Sequence, residues 1–229
     1  MASARKKIQV LRKLLKKIRT NRAAKKQWKS ESHPRYSSGK FKPKNGSGLN
    51  PSTPRFTAIT SAPTESDREQ WMEAREQPIP EGTPQILVDR FRDNVAMSRS
   101  VLLTTRRDPA GFRGVRDAGG NLQAGATITN ERDHIFIDTF ATAPWNVFRT
   151  SPKSVRDAGK VLLAEIVKES INKGHKGEIR LSSLPGSASF YMRIGLVEDD
   201  DSGEMILSSQ NAREFLRDVQ SFRHKSDSL

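Results

Sequence analysis

The chain contains no cysteine, so disulfide scaffolds, thiolate zinc sites and cysteine nucleophiles are excluded together. Histidine is almost as scarce. His33, His134, His175 and His224 are the whole supply, none paired at metal-ligand spacing, and no metal site is expected. No apolar run approaches the roughly 18–20 residues needed to cross a bilayer, which excludes an integral membrane helix. Hydrophobic residues make up 34% of the 229 residues and charged residues 29%. That apolar share is low for a chain that is globular throughout, so part of it is expected to bury little. The length suits one full-sized domain with an appendage, and a cytoplasmic location is expected.

Acidic residues are missing from one end only. Residues 1–48 hold 16 Lys and Arg against one acid, Glu31, whereas the remaining 181 residues hold 24 basic and 25 acidic side chains. The net charge of +14 is therefore a +15 arm joined to a domain of −1, and the pI near 10.3 belongs to the arm. Within the arm, Ile8, Leu11, Leu14, Leu15 and Ile18 recur at helical spacing among lysines and arginines, which predicts a basic amphipathic helix over 4–29. From Ser30 to Ala62 the chain turns to Ser, Pro, Gly, Asn and Lys and reads as a disordered linker. The expected division is thus 1–62 for arm and linker and 63–229 for the folded domain. Residues 5–44 suit a solubilising tail, phosphate neutralisation on nucleic acid or ribosome, or an anionic membrane surface. A transit peptide is the remaining option, though lysine outnumbers arginine. Trp28, Tyr36 and Phe41 are too few for a base-stacking platform, and no helix-turn-helix, zinc-finger or RRM pattern follows.

The domain is expected to open at Ser66, where Ser66-Asp67-Arg68-Glu69 fits a capping box, with a helix over 66–76 ended by Pro78 and Pro80. A second amphipathic helix over 84–97 and a strand at Val101–Thr105 follow. Phe112–Arg116, Leu122–Thr129 and His134–Thr142 read as a meander of strands. Gly125 inside the second marks a bulge or a close approach. The longest helix is expected over 154–173. After it come a strand at 178–184, a helix at 187–193, strands starting at Leu196 and at Glu204, and a final helix capped by Asn211. This order predicts an α+β fold with a mixed, mostly antiparallel sheet.

The stretch Asp138–Val197 carries the chemistry. At the start of the long helix, Arg156-x-x-Gly159-Lys160 sets cations and unsatisfied N–H groups where an anion such as a pyrophosphate would fit, although the same residues suit an ordinary first helical turn. A strand at Ile179–Leu181 comes next, then Ala188-Ser189-Phe190-Tyr191-Met192-Arg193-Ile194-Gly195-Leu196. A strand, an anion-loop helix, a parallel strand and a helix of the form A-x-F-Y-x-x-x-G-[FL] resemble the GCN5-related N-acetyltransferase (GNAT) superfamily over residues 66–209, most specifically over 135–197.

The resemblance implies a sheet that splays between its fourth and fifth strands, with acetyl-CoA as co-substrate in the gap. It implies that Phe140, Ala141 and Thr142 at the end of the fourth strand, and Arg156, Asp157, Ala158, Gly159 and Lys160 in the pyrophosphate loop, bind the cofactor. Val161 stands where that family usually has Gly or Ala. Tyr191 matches the tyrosine that protonates the departing thiolate, and it equally suits packing of the helix on the sheet. Trp145 and Asn146 lie where the acceptor would enter, Trp145 either as a substrate platform or as a packed lid. Asp138, Glu131 or Asp133 could assist as general base, and each equally fits a solvated surface charge. Asp199-Asp200-Asp201 reads as a hairpin turn. The implied activity is direct acetyl transfer from acetyl-CoA to an amine in a ternary complex. The rival reading is a non-catalytic nucleic-acid- or ribosome-binding protein that uses the arm on a degenerate scaffold of the same fold.

Overall fold

The computed structural model describes residues 56–148, 151–184 and 187–226, the last seven as backbone only. The helix expected over 4–29, and the linker as far as residue 55, lie outside the described residues. Seven strands form one sheet: β1 (Thr57–Ile59), β2 (Phe112–Arg116), β3 (Leu122–Asn130), β4 (Ile135–Thr142), β5 (Ile179–Leu181), β6 (Val197–Glu198) and β7 (Met205–Leu207). Their order is β1-β2-β3-β4-β5-β7-β6, and every pairing is antiparallel except β4 with β5. Among the described residues five helices flank it: α1 (Glu65–Arg75), α2 (Gln85–Arg107), α3 (Ala158–Asn172), α4 (Ala188–Arg193) and α5 (Ser209–Ser226). This is the mixed α+β sheet, mostly antiparallel, that the strand pattern implied.

Strand β3 lies inside the sheet and is covered on both faces. Leu122 to Ile128 are buried without a break. Ala124, Ala126 and Ile128 join Leu162, Ile166 and Val167 of α3 and Phe215 of α5 in the larger core cluster. Gly125 serves the other face. A Cβ there would meet Phe112 at 3.0 Å and Val101 of α2 at 3.2 Å, so the close approach is what the glycine permits. Trp71 of α1, fully buried, seals that face and donates from Nε1 to the Leu122 carbonyl at 2.9 Å. Burial of such a side chain stabilises by about 2–3 kcal/mol, because its one polar group keeps a partner.

Several boundaries depart from the sequence reading, each for a local physical reason. Val101–Thr105 is not a strand but the last two turns of α2, which runs unbroken from Gln85. No Gly or Pro interrupts Ala96–Ser100, and Val88, Phe91, Ser98, Val101, Leu102 and Thr105 are buried at helical spacing. Thr105 Oγ1 donates to the Val101 carbonyl one turn back. Helix α1 is capped one position pair earlier than expected. Thr64 Oγ1 accepts from the Asp67 N–H and Asp67 accepts from the Thr64 N–H, closing a capping box without Ser66 or Glu69. The expected linker ends early, since Thr57–Ile59 pairs with Arg116–Gly114 as an edge strand. Helix α3 begins at Ala158 rather than Ser154, and α5 at Ser209, where Ser208 Oγ accepts from the Asn211 N–H.

One irregularity in the sheet positions the site. β4 and β5 pair only over Ile135–Ile137 with Ile179–Leu181, while β4 continues to Thr142. Its second half, Asp138–Thr142, keeps β3 on one edge and, among the described residues, has no strand on the other.

Candidate active site

A cavity of about 400 Å³ lies at the open end of β4. Phe140, Ala141 and Thr142 supply the strand wall. Val155, Arg156 and Asp157, followed by Ala158, Gly159 and Lys160 of the first turn of α3, supply a second. Phe190, Tyr191, Arg193 and Ile194 close the side of α4. All eight residues expected at the cofactor thus line one cavity together with Tyr191 and Asn146.

The loop before α3 has a defined local structure. Asp157 takes the left-handed conformation, φ 63° and ψ 6°, one that Asp tolerates better than most non-glycine residues. As N-cap it makes no side-chain bond to the helix, and its carboxylate meets Lys160 Nζ at 3.3 Å instead. Gly159 lets the helix start press on the strand end. A Cβ there would lie 3.3 Å from Thr142 Cγ2 and 3.5 Å from Phe140 Cε1. Val161 points into the core with α3 and is 2% exposed, so its bulk does not enter the cavity wall.

A buried amide holds the loop from behind. Gln123, fully buried on β3, donates from Nε2 to Asp117 Oδ2 at 2.7 Å and to the Lys153 carbonyl at 3.0 Å. Its Oε1 accepts from Trp145 Nε1 and from Asn146 Nδ2, both at 3.0 Å. Asn146 Oδ1 then accepts the Val155 N–H at 2.8 Å, and Ser154 Oγ donates to the Trp145 carbonyl at 2.6 Å. All four hydrogen-bonding positions of the Gln123 amide are used. Trp145, 3% exposed, sits in the second core cluster with Trp71 and Phe112 and does not line the cavity. Asn146 does line it, with its amide committed to the loop.

Tyr191 is 5% exposed, with Phe190 edge-on at 5.2 Å and Phe140 edge-on at 6.3 Å. Burial pushes its phenol well above the ordinary range, so the hydroxyl keeps its proton at any physiological pH. The carboxylates suggested as a base fall elsewhere. Glu131 and Asp133 are in the turn that precedes β4, at the opposite end of the strand from Thr142. Asp138 is exposed, accepts from Thr129 Oγ1 at 2.9 Å, and is absent from the lining.

The wall that sequence reasoning missed is α2, which contributes Arg90, Asp93, Asn94 and Met97. Asn94 Nδ2 donates to the Thr142 carbonyl at 3.1 Å and to Thr142 Oγ1 at 3.2 Å, tying this helix to the strand end. Burial, and then the nearby Asp89 carboxylate, raise the Asp93 carboxyl above its ordinary range. The available signal was spacing: residues 90, 93, 94 and 97 form a single stripe on a helix. Among the described residues no group of His, Asp and Glu could hold a metal ion, and no helix is long and apolar enough to cross a membrane.

No family model matches the sequence, and no curated protein matches it either. Among solved structures the chain is similar to the PaiA N-acetyltransferase of Thermoplasma acidophilum, crystallised with coenzyme A, at 18% identity and a TM-score of 0.39, covering 66% of this chain and 96% of that one. It is similar to a bacterial toxin at 15% identity and a TM-score of 0.44, covering 72% of this chain and 96% of that one. A GNAT-family acetyltransferase of Staphylococcus aureus Mu50 is similar at 13% identity and a TM-score of 0.39, with 64% and 87% covered.

Proposed function

We propose that the domain transfers an acetyl group from acetyl-CoA to an amine. The observation that carries this reading is the separation of β4 from β5 beyond Ile137, with the anion-compatible start of α3 and a buried tyrosine on the same cavity. The residues present fit the co-substrate. A 15-residue helix begins at the cavity, and Arg156 and Lys160 beside it supply positive charge for phosphates. The unpaired edge of Asp138–Thr142 offers backbone groups to an extended amide-bearing chain. When bound, acetyl-CoA supplies an activated thioester. The chain orients that thioester against the strand end, excludes water by packing Phe140 and Phe190 around it, and offers the Tyr191 proton to the leaving sulfur.

Calorimetric titration of the full chain with CoA tests this. Binding in the micromolar to submillimolar range is expected, weakened about tenfold or more by Arg156→Glu, which replaces an attractive charge beside phosphate with a repulsive one. No heat and no thermal shift at millimolar CoA would overturn the reading.

A further inference from the structure

Helix α2 gives the cavity a wall of mixed charge. Arg90, Asp93, Asn94 and Met97 lie at i, i+3, i+4 and i+7, so they form one stripe beside the buried stripe of Val88, Phe91 and Val101. The Asn94 bonds to Thr142 fix that stripe against the end of β4. One carboxylate on it has no donor in the protein. Asp93 lines the cavity, is only part-buried, and makes no hydrogen bond or ion pair with any described residue. Such a carboxylate on a cavity wall suits a ligand rich in N–H groups. An ammonium or amine is such a ligand. One turn away Arg90 presents the opposite charge.

We propose that α2 forms the acceptor subsite and selects amines that also carry a carboxylate or phosphate about one helical turn from the nitrogen, with Asp93 receiving the amine, Arg90 the anion, and Asn94 holding the helix against the strand end. The inference rests on the acetyl-transfer reading. In the reaction the ammonium gives a proton to Asp93, and the freed nitrogen attacks the thioester carbonyl carbon. The C–N bond forms as the C–S bond breaks, Tyr191 protonates the sulfur and is made good by the second proton lost from the nitrogen, and Asp93 gives the first to solvent, so one proton is released overall as the amide and the thiol leave. The charged groups around Asp93 are Asp89 and Arg90 on its own helix, with Arg156, Asp157 and Lys160 at the start of α3 and Arg193 on α4 lining the same cavity. A carboxyl raised by burial and by Asp89 should place the acid limb of the rate profile above the ordinary carboxylate range of about 4.

The test uses the full chain with saturating acetyl-CoA, follows thiol release, and compares L-glutamate, glucosamine 6-phosphate and spermidine. The first two separate a carboxylate source from a phosphate source. At least one of them should exceed spermidine in kcat/KM by tenfold or more, and Arg90→Glu should reverse that order. Asp93→Asn should lower kcat by about 10²-fold or more with every amine and abolish the acid limb. Its CoA affinity should stay at the wild-type value, which also reports that the variant is folded. The proposal is overturned if spermidine is the best wild-type acceptor, if Arg90→Glu leaves the order unchanged, or if CoA binds and none of the three amines reacts. Absence of CoA binding would instead sink the acetyl-transfer reading itself.

Discussion

A phenol packed edge-on between Phe140 and Phe190 is held in the form an acid catalyst needs. Burial raises its pKa, so the proton is present throughout the working range and the group contributes no basic limb to a rate profile. Tyr191→Phe keeps the ring and its packing while removing the proton donor. Turnover should fall by about 10²-fold or more, with acetyl-CoA affinity nearly unchanged, as measured by steady-state kinetics alongside calorimetry. Wild-type rates across the pH range would make the tyrosine a packing residue. The place of Tyr191, Arg156 and Gly159 on one cavity was legible because each sits in a short local pattern, a helix start or a run of neighbouring residues. Asp93 and Asn94 were not, because nothing local marks them. Their significance depends on the end of a strand some 48 positions away in sequence, where Asn94 meets Thr142.

At the scale of elements, α2 shows where local reading fails. Val101-Leu102-Leu103-Thr104-Thr105 is a β-branched, apolar run with strand propensity, yet it continues a helix whose buried face is already set by Val88 and Phe91. Tertiary burial outweighs intrinsic preference here. The strands β2, β3 and β4 were legible because turns with Gly or Asn bound them. The separation of β4 from β5 was visible only through family likeness, since pairing partners leave no trace within one segment. The segment between β4 and α3 depends on the buried Gln123 amide, which no periodicity announces. Asn146 links that amide to the Val155 N–H. Asn146→Ala should therefore leave a backbone donor and part of the Gln123 oxygen unpaired, and lower unfolding free energy by about 1–3 kcal/mol in urea titration. CoA affinity should fall with it, because Arg156 follows Val155 directly. Stability loss with unchanged affinity would show that the loop is positioned without this network.

At the scale of the whole chain, charge and fold are divided between different residues. Net charge over residues 49–229 is −1, whereas residues 1–48 carry +15. The folded sheet begins at Thr57, inside what composition alone assigned to linker, because Thr57–Ile59 completes the β2 edge. A cut at residue 62 would expose that edge. A cut before Phe56 retains β1 and still removes every one of the 16 arm cations. We propose that affinity for nucleic acid resides in those cations. Each phosphate contact releases counterions, so binding of the full chain to RNA should fall by about 10³-fold or more between 50 and 200 mM salt. Residues 56–229 should lose RNA retention at all salt concentrations while binding CoA with the affinity of the full chain. Because the arm would act by raising local concentration rather than by reshaping the cavity, its removal should leave kcat on a small amine unaltered. Retention on immobilised RNA across a salt series, read beside CoA calorimetry on both chains, checks each expectation. Undiminished RNA binding by residues 56–229 would move the recognition surface into the fold, where Arg90, Arg156 and Arg193 around the cavity would be the first basic groups to substitute.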